Sequence, residues 1–437
     1  MTRRPTRREF LGKTTTAALG LTVPLFVPAT ALGTGQRTAA SDRITLGFIG
    51  TGGRGRGLIN MFLAEKDTQI LAVCDVDQRH LHQAQELVNK RYGTKDCAVY
   101  KDFRQLVARP DIDAVVVATP DHWHALTSIA AARARKDIYC EKPLTNSIGE
   151  GRALCKAVQE NGRILQTGSH ERSNPKGRFA CEIVRSGLIG KVHTLRVHLP
   201  CDEDHHKQAR ALRGMPPTEP VPDGFDYDFW LGPAPQAPYT SKRCHFWWRF
   251  VLAYGGGEMT DRGAHVMDLG LLGAGLEDTG PVEIEARGVC NADSLYDVFW
   301  DYEFVNTFAN GVKLIGSTQQ PRGVKFEGTE GWVFIHVHGC KLEAEPASLL
   351  KVNPEKLQVQ LGRTPNHVRN FLDAVKSRKQ PFAPAEAGHR TASLCHLNNI
   401  AMRVGRKLRW DPVREQFVGD DEANAYVTPK MRAPWSL

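Results

Sequence analysis

The stretch Ile44-Thr45-Leu46-Gly47-Phe48-Ile49-Gly50-Thr51-Gly52-Gly53-Arg54-Gly55 decides the fold. Its first half is a short β-type run, and Gly50 to Gly55 fit G-x-G-x-x-G. A helical pattern with Leu58, Met61 and Phe62 follows, then a second apolar strand, Ile70-Leu71-Ala72-Val73-Cys74, which ends at Asp75, 25 residues after Gly50. Strand, glycine turn, helix, strand and terminal acid in this order predict a dinucleotide-binding βαβ unit. Glycines let the backbone approach a pyrophosphate, and the helix N-terminus offers N–H groups and the positive end of its dipole. Asp75 is placed to accept from the ribose hydroxyls, and its charge favours NAD over NADP. Arg79, one turn on, leaves NADP possible, since a guanidinium can stack on adenine or meet a phosphate.

Outward from this unit the alternation continues. His80 to Tyr92 reads as a helix, Asp113 to Ala118 as a buried parallel strand, Ala125 to Arg135 as a helix, and Asp137 to Cys140 and Ile164 to Gly168 as strands. The loops Thr119-Pro120-Asp121-His122-Trp123-His124 and Glu141-Lys142-Pro143 close two of these strands, at the edge where such sheets bind ligands. After residue 169 the rhythm changes to consecutive alternating strands: Lys191 to Leu199, Val282 to Val289, Val298 to Phe304, Val312 to Gln319 and Trp332 to Val337. Helices over Asn366 to Ser377 and Ala385 to Arg406 close the chain. The expected fold class is α/β, with an N-terminal Rossmann domain and a C-terminal α+β domain carrying a large, mostly antiparallel open sheet. The expected domain bounds are 1–40, 41–168 (dinucleotide-binding) and 169–437.

A glycine fingerprint, then T-P-x-x-x-H, then E-K-P resembles the glucose–fructose oxidoreductase / inositol dehydrogenase (Gfo/Idh/MocA) family. The resemblance continues through Gly168-Ser169-His170-Glu171-Arg172-Ser173-Asn174-Pro175 and returns at Gly255 to His265, covering nearly all of the chain after residue 43. It implies a cofactor set of Gly50, Thr51, Gly52, Gly53, Arg54, Asp75, Thr119, Pro120, His124, Glu141, Lys142 and Arg172. It implies a catalytic set of Lys142, Asp261 and His265, meeting over the nicotinamide. In this reading His265 is the general base, Asp261 orients it from one turn away on the same helix face, and Lys142 stabilises charge on the reacting oxygen.

Other polar groups read as bland. His198, Asp202, Glu203, Asp204, His205 and His206 lack metal-ligand spacing and are expected in an exposed loop lining the substrate cleft, so no metal is expected. His336 and His338 read as surface or interface residues, and Asp268 as a solvated or helix-pairing carboxylate. Phe246-Trp247-Trp248, in a long loop-rich excursion, suit a sugar face. None of the ten cysteines forms a C-x-x-C, and all read as buried small hydrophobes.

The formal charge is +9 over 437 residues. Part of it belongs to an address: Arg3, Arg4, Arg7 and Arg8, then Phe10-Leu11, an apolar stretch to Leu32 and Ala29-Thr30-Ala31 resemble a twin-arginine export signal. That stretch is short for a membrane span and contains Pro24 and Pro28, so it reads as a signal rather than an anchor. Cleavage after Ala31 removes five basic residues and Glu9 and leaves about +5, with no basic run or nucleic-acid motif, so nucleic-acid partners are excluded.

The expected protein is a periplasmic NAD(P)-dependent oxidoreductase acting on a sugar, cyclitol or glycoside hydroxyl and exported by the twin-arginine translocase. The family association surface implies a homo-dimer or tetramer. Free NAD is scarce outside the cytoplasm, so the cofactor is expected to be held tightly and regenerated in place. An NAD-recycling glycoside hydrolase and a non-catalytic sugar-binding protein are the alternatives.

Overall fold

Unbroken apolar runs separated by amphipathic stretches build a parallel sheet with helices on its two faces. In the computed structural model, which describes residues 38–339 and 341–437, the elements run β1 (Ile44–Ile49), α1 (Gly53–Leu63), β2 (Thr68–Cys74), α2 (Gln78–Tyr92), β3 (Ala98–Tyr100), α3 (Phe103–Val107), β4 (Ala114–Val117), α4 (Asp121–Arg133), β5 (Asp137–Cys140), α5 (Ile148–Glu160) and β6 (Leu165–Thr167). The export stretch and Cys340 lie outside the described residues. All neighbours pair parallel, in the order β3-β2-β1-β4-β5-β6. The strand order reverses between β1 and β4, which opens a crevice at their carboxyl ends. Asp77 caps α2 by accepting from the Arg79 and His80 N–H groups, and Ser147 caps α5 at Glu150. Helix α4 starts at Asp121, four residues before the sequence reading, because Pro120 sets the turn ahead of it; the His122 N–H donates to the Tyr254 carbonyl and the Trp123 N–H to that of Pro120.

The second part runs α6 (Pro175–Arg185), β7 (Val192–His198), α7 (Asp204–Ala211), α8 (Tyr227–Leu231), α9 (Glu258–Asp261), α10 (Gly263–Ala274), β8 (Pro281–Cys290), β9 (Phe299–Phe308), β10 (Lys313–Ser317), β11 (Gly323–Gly328), β12 (Trp332–His336), β13 (Leu342–Glu345), α11 (His367–Ser377), α12 (Ala385–Val404), β14 (Leu408–Asp411), β15 (Gln416–Phe417) and α13 (Asp421–Asn424). Its nine strands lie in the order β13-β12-β11-β7-β10-β9-β8-β14-β15. Only β7 and β10 pair parallel, so the sheet is mostly antiparallel, as expected. Along β9 inward residues alternate with outward ones, and Trp300, Tyr302, Phe304 and Phe308 fill the core under α10 and α12.

The two parts share more than a linker, and Ile44–Leu437 fold as one compact unit. Helix α11, capped by Asn366, packs Val368, Phe371 and Leu372 into the core of the parallel sheet. Phe371 meets Phe62 and Tyr139 edge-on at 6.2 and 5.8 Å. Burying a phenylalanine of this kind contributes roughly 1.5–3 kcal/mol. Nine described cysteines are free and eight of them are buried, in keeping with small apolar fillers.

Candidate active site

The glycine turn sits at the switch between β1 and β4. Gly50 takes φ +84°, and a Cβ there would lie 2.6 Å from the Thr119 nitrogen, so only glycine lets β1 turn against the end of β4. No side chain caps α1 at Gly52, and its first N–H groups face outward. A Cβ on Gly53 would meet nothing within 4 Å. Asp75, at the end of β2, accepts from the Thr51 N–H (2.6 Å), the Thr51 hydroxyl (3.0 Å) and the Asp77 N–H (2.9 Å). A glycine turn with open space in front of it, an uncapped helix start and an anchored carboxylate fit a dinucleotide.

These groups line one cavity of about 630 Å³, together with Thr119, Pro120, His124, Glu141, Lys142 and both Asp261 and His265. The cavity is closed from the other side by the long excursion after β7. There Phe225 pairs with Asp77, and Trp230 offers its carbonyl to the rings of His122 and Trp123 at 3.0 and 2.9 Å. Arg54 and Glu141 pair across the cavity at 2.7 Å. His124 is buried with Nδ1 2.7 Å from the Pro143 carbonyl and Nε2 3.0 Å from that of Thr119. It therefore ties the two strand-end loops together, and burial lowers its pKa despite those carbonyls. Thr51 does not line the cavity; it anchors Asp75.

At the other end Lys142 donates to Asp261 Oδ1 at 2.5 Å and to the Asp261 carbonyl at 2.7 Å. Arg249 approaches Asp261 Oδ2 at 3.5 Å while its guanidinium lies over the Trp248 ring. Burial by itself would raise the Asp261 carboxyl, but Lys142 and Arg249 hold it far below the usual carboxylate range. Asp121, the first residue of α4, is 3% exposed and lines the same cavity. Burial pushes its carboxyl well above the usual range, with Lys142 opposing and Asp261 adding. Two carboxyls in one cavity are therefore pushed in opposite directions. Burial also pushes His265 well below the usual histidine range, helped by Lys142, and its Nδ1 has no hydrogen-bond partner.

Several expectations change. Asp261 does not orient His265, because the helix breaks at Arg262 between α9 and α10, and the Asp261 carboxylate turns to Lys142 and Arg249 instead. Arg172 does not reach the cofactor cavity. It is 1% exposed and paired with Asp268 at 2.6 Å and Glu277 at 2.5 Å, since a buried guanidinium takes the nearest carboxylates. Asp268 is accordingly buried rather than solvated, and it pairs helices as the other reading had it, accepting from the Thr391 hydroxyl of α12 at 2.9 Å. Asp204 to Ala211 form α7 instead of a loop, and His206, fully buried, pairs with Glu258 at 3.1 Å away from the cavity. Of the aromatic trio, Phe246 and Trp248 line the cavity, while Trp247 stacks on Tyr296. His338 is exposed, as expected of a surface residue, and its ring also meets that of His265 at 5.0 Å. Asp121, Arg249 and His170, which also line the cavity, escaped the sequence reading. Asp121 carried a signal in its position directly after a parallel strand's carboxyl end, and His170 in the motif that follows β6.

The fold and cavity define a two-part protein with a Rossmann-type dinucleotide-binding half. A family model described as "Oxidoreductase family, NAD-binding Rossmann fold" matches residues 44–169, and one described as "Oxidoreductase family, C-terminal alpha/beta domain" matches residues 178–437. The chain belongs to the Gfo/Idh/MocA oxidoreductase family, and its first sheet is an NAD-binding Rossmann domain. It is similar to an inositol 2-dehydrogenase of Rubrobacter xylanophilus, at 33% identity over 152 residues, 34% of this chain and 42% of that protein. It is also similar to a glycosyl hydrolase family 109 protein of Stenotrophomonas maltophilia, at 27% identity over 232 residues, 51% of this chain and 47% of that protein. The chain thus spans less than half the length of these curated relatives. The crystal structure of the WlbA dehydrogenase from Bordetella pertussis, in complex with NADH and UDP-GlcNAcA, shares the fold with a TM-score of 0.61, at 16% identity over 84% of this chain and 99% of that one.

Proposed function

We propose that this chain oxidises and reduces a ring hydroxyl of a sugar, cyclitol or glycoside. One observation carries the reading: the Lys142–Asp261 pair shares a single cavity with the glycine turn and Asp75. NAD, when bound, takes a hydride from a carbinol carbon and returns it to a carbonyl carbon. Lys142, held by Asp261, donates to the reacting oxygen and stabilises the charge that develops on it. His265, at the same wall with an unpartnered Nδ1, takes the hydroxyl proton. Phe246 and Trp248 give the ring an apolar face. The test is Lys142→Met in the purified protein. Sugar-dependent NADH formation is expected to disappear while NAD binding and the circular dichroism spectrum stay as in the wild type. Unchanged turnover refutes the assignment.

The resemblance to glycosyl hydrolase family 109 proteins, and the second carboxyl at Asp121, which burial pushes upward, favour a second reading. Here oxidation acidifies a neighbouring C–H, the glycosidic substituent leaves, water adds and the hydride returns. Release of a chromogenic aglycone without net NADH distinguishes it. A non-catalytic sugar-binding protein would show neither product.

Export by the twin-arginine route belongs to the same proposal, supported by the Arg7-Arg8 pair and the apolar stretch behind it. Arg7→Lys with Arg8→Lys is expected to leave the protein in the cytoplasmic fraction. NAD is expected to co-purify, and a dimer or tetramer to appear in sedimentation velocity; loss of the cofactor on dilution would break the captive-cofactor reading.

A further inference from the structure

We propose that His170, Glu171 and His338 hold a divalent transition-metal ion at the edge of the cavity, beside His265. The three come from distant parts of the chain: His170 and Glu171 open the turn after β6, and His338 follows β12 of the second sheet. Their possible ligand atoms all lie within 4.8 Å of one another. His338 Nδ1 is 3.4 Å and His170 Nε2 3.6 Å from the same oxygen, Glu171 Oε1. Both separations exceed a good hydrogen bond of about 2.7–3.2 Å. Both match the edge of a coordination tetrahedron, about 3.4 Å for metal–ligand bonds of about 2.1 Å.

Two further observations point the same way. His265, 4% exposed, packs its ring 4.6 Å from His170 and 5.0 Å from His338, and the Nδ1 atoms of His265 and His170 have no hydrogen-bond partner. In addition, His338 adopts φ +62°, a left-handed conformation uncommon for histidine, which turns its backbone N–H toward Glu171 at 3.3 Å.

Two imidazoles and one carboxylate form a donor set for zinc and its neighbours, and three protein ligands leave a coordination position for a substrate oxygen. Because His170 lines the cavity, that position faces the site of Lys142 and His265. There the ion would hold an oxygen next to the carbon being oxidised, a role that rests on the proposed function; the binding of the ion itself does not.

The test uses the full folded chain, stripped with a chelator, equilibrated with zinc and desalted, with zinc counted by mass spectrometry. About one zinc per chain is expected, and cobalt in its place should give the visible band of a tetrahedral site. His170→Ala and His338→Asn, the latter tolerant of positive φ, should each retain less than about 0.2 zinc. Lys142→Met should keep the metal, so failure of the oxidoreductase reading and failure of this one are distinguishable. His80→Ala should also keep it, although Asp77, His80 and His245 form a second such cluster by Asp75. Wild-type protein that retains neither zinc nor cobalt overturns the proposal, as do folded His170→Ala and His338→Asn proteins that bind zinc as the wild type does. If the variants fail to fold, the cobalt spectrum of the wild type decides.

Discussion

The two ends of the cavity are built in opposite ways. The cofactor end comes from one βαβ run, Ile44 to Asp75, and works mainly through backbone N–H groups. The reaction end gathers Asp121, Lys142, Arg249, Asp261 and His265 from separate segments, and works through side chains that set one another's charge. Asp75 is anchored by neutral donors, the N–H groups of Thr51 and Asp77. Asp261 is held ionised by two cations. A phosphate site needs only local geometry, whereas a site for hydride chemistry needs charges brought together across the chain.

The largest expected effect separates the two ends directly. Lys142→Met should lower kcat by about 10³-fold, while the dissociation constant for NAD, followed by fluorescence titration, stays within about threefold. A parallel loss of NAD affinity would show that the two ends are not separable. Gly50→Ala attacks the local end. The φ of +84° and the 2.6 Å approach to the Thr119 nitrogen predict a destabilisation of about 2–4 kcal/mol, read from urea unfolding, together with lost NAD binding.

Glu150 tests what the cations do for Asp261, because it is a buried carboxyl served only by neutral donors, and burial raises it from 4.5 to about 7. Between those two values the folded state keeps a proton that the unfolded state loses, so this group makes stability fall as pH rises from 4.5 to about 7. Glu150→Gln should remove that slope and raise stability at pH 7 by about 1–3 kcal/mol. A pH profile identical to the wild type would contradict it. The smallest effect is expected from Asp75→Asn, which keeps the shape and removes the charge. NAD should bind about tenfold more weakly in an equilibrium titration with kcat at saturating cofactor little changed.

Much of the cofactor end was legible in the sequence. The fingerprint, the apolar runs of β1, β2, β4, β5 and β6 and the acid ending β2 are all properties of neighbouring residues, and the structure places each within a few positions of its expected span; the short edge strand β3 was not foreseen. At the reaction end, Lys142, Asp261 and His265 could be named from motifs, but their relation could not. The i, i+4 spacing suggested an Asp261–His265 pair, and a break at Arg262 sent the carboxylate to Lys142 instead. Arg172 stands in a motif-rich stretch, yet Asp268, 96 residues away, takes its guanidinium into the core. His206 is drawn inside by Glu258 in the same way. In each case the deciding partner is remote in sequence, and nothing local marks it.

The sequence by itself determined that this chain folds a parallel sheet around a glycine turn with an acid at the next strand's end, because strand periodicity, glycine geometry and helix starts depend on adjacent residues. The tertiary structure decided which carboxyl is pushed up and which down. Asp121 and Asp261 are the same side chain in one cavity, and only their burial and their distances from Lys142 and Arg249 set them apart.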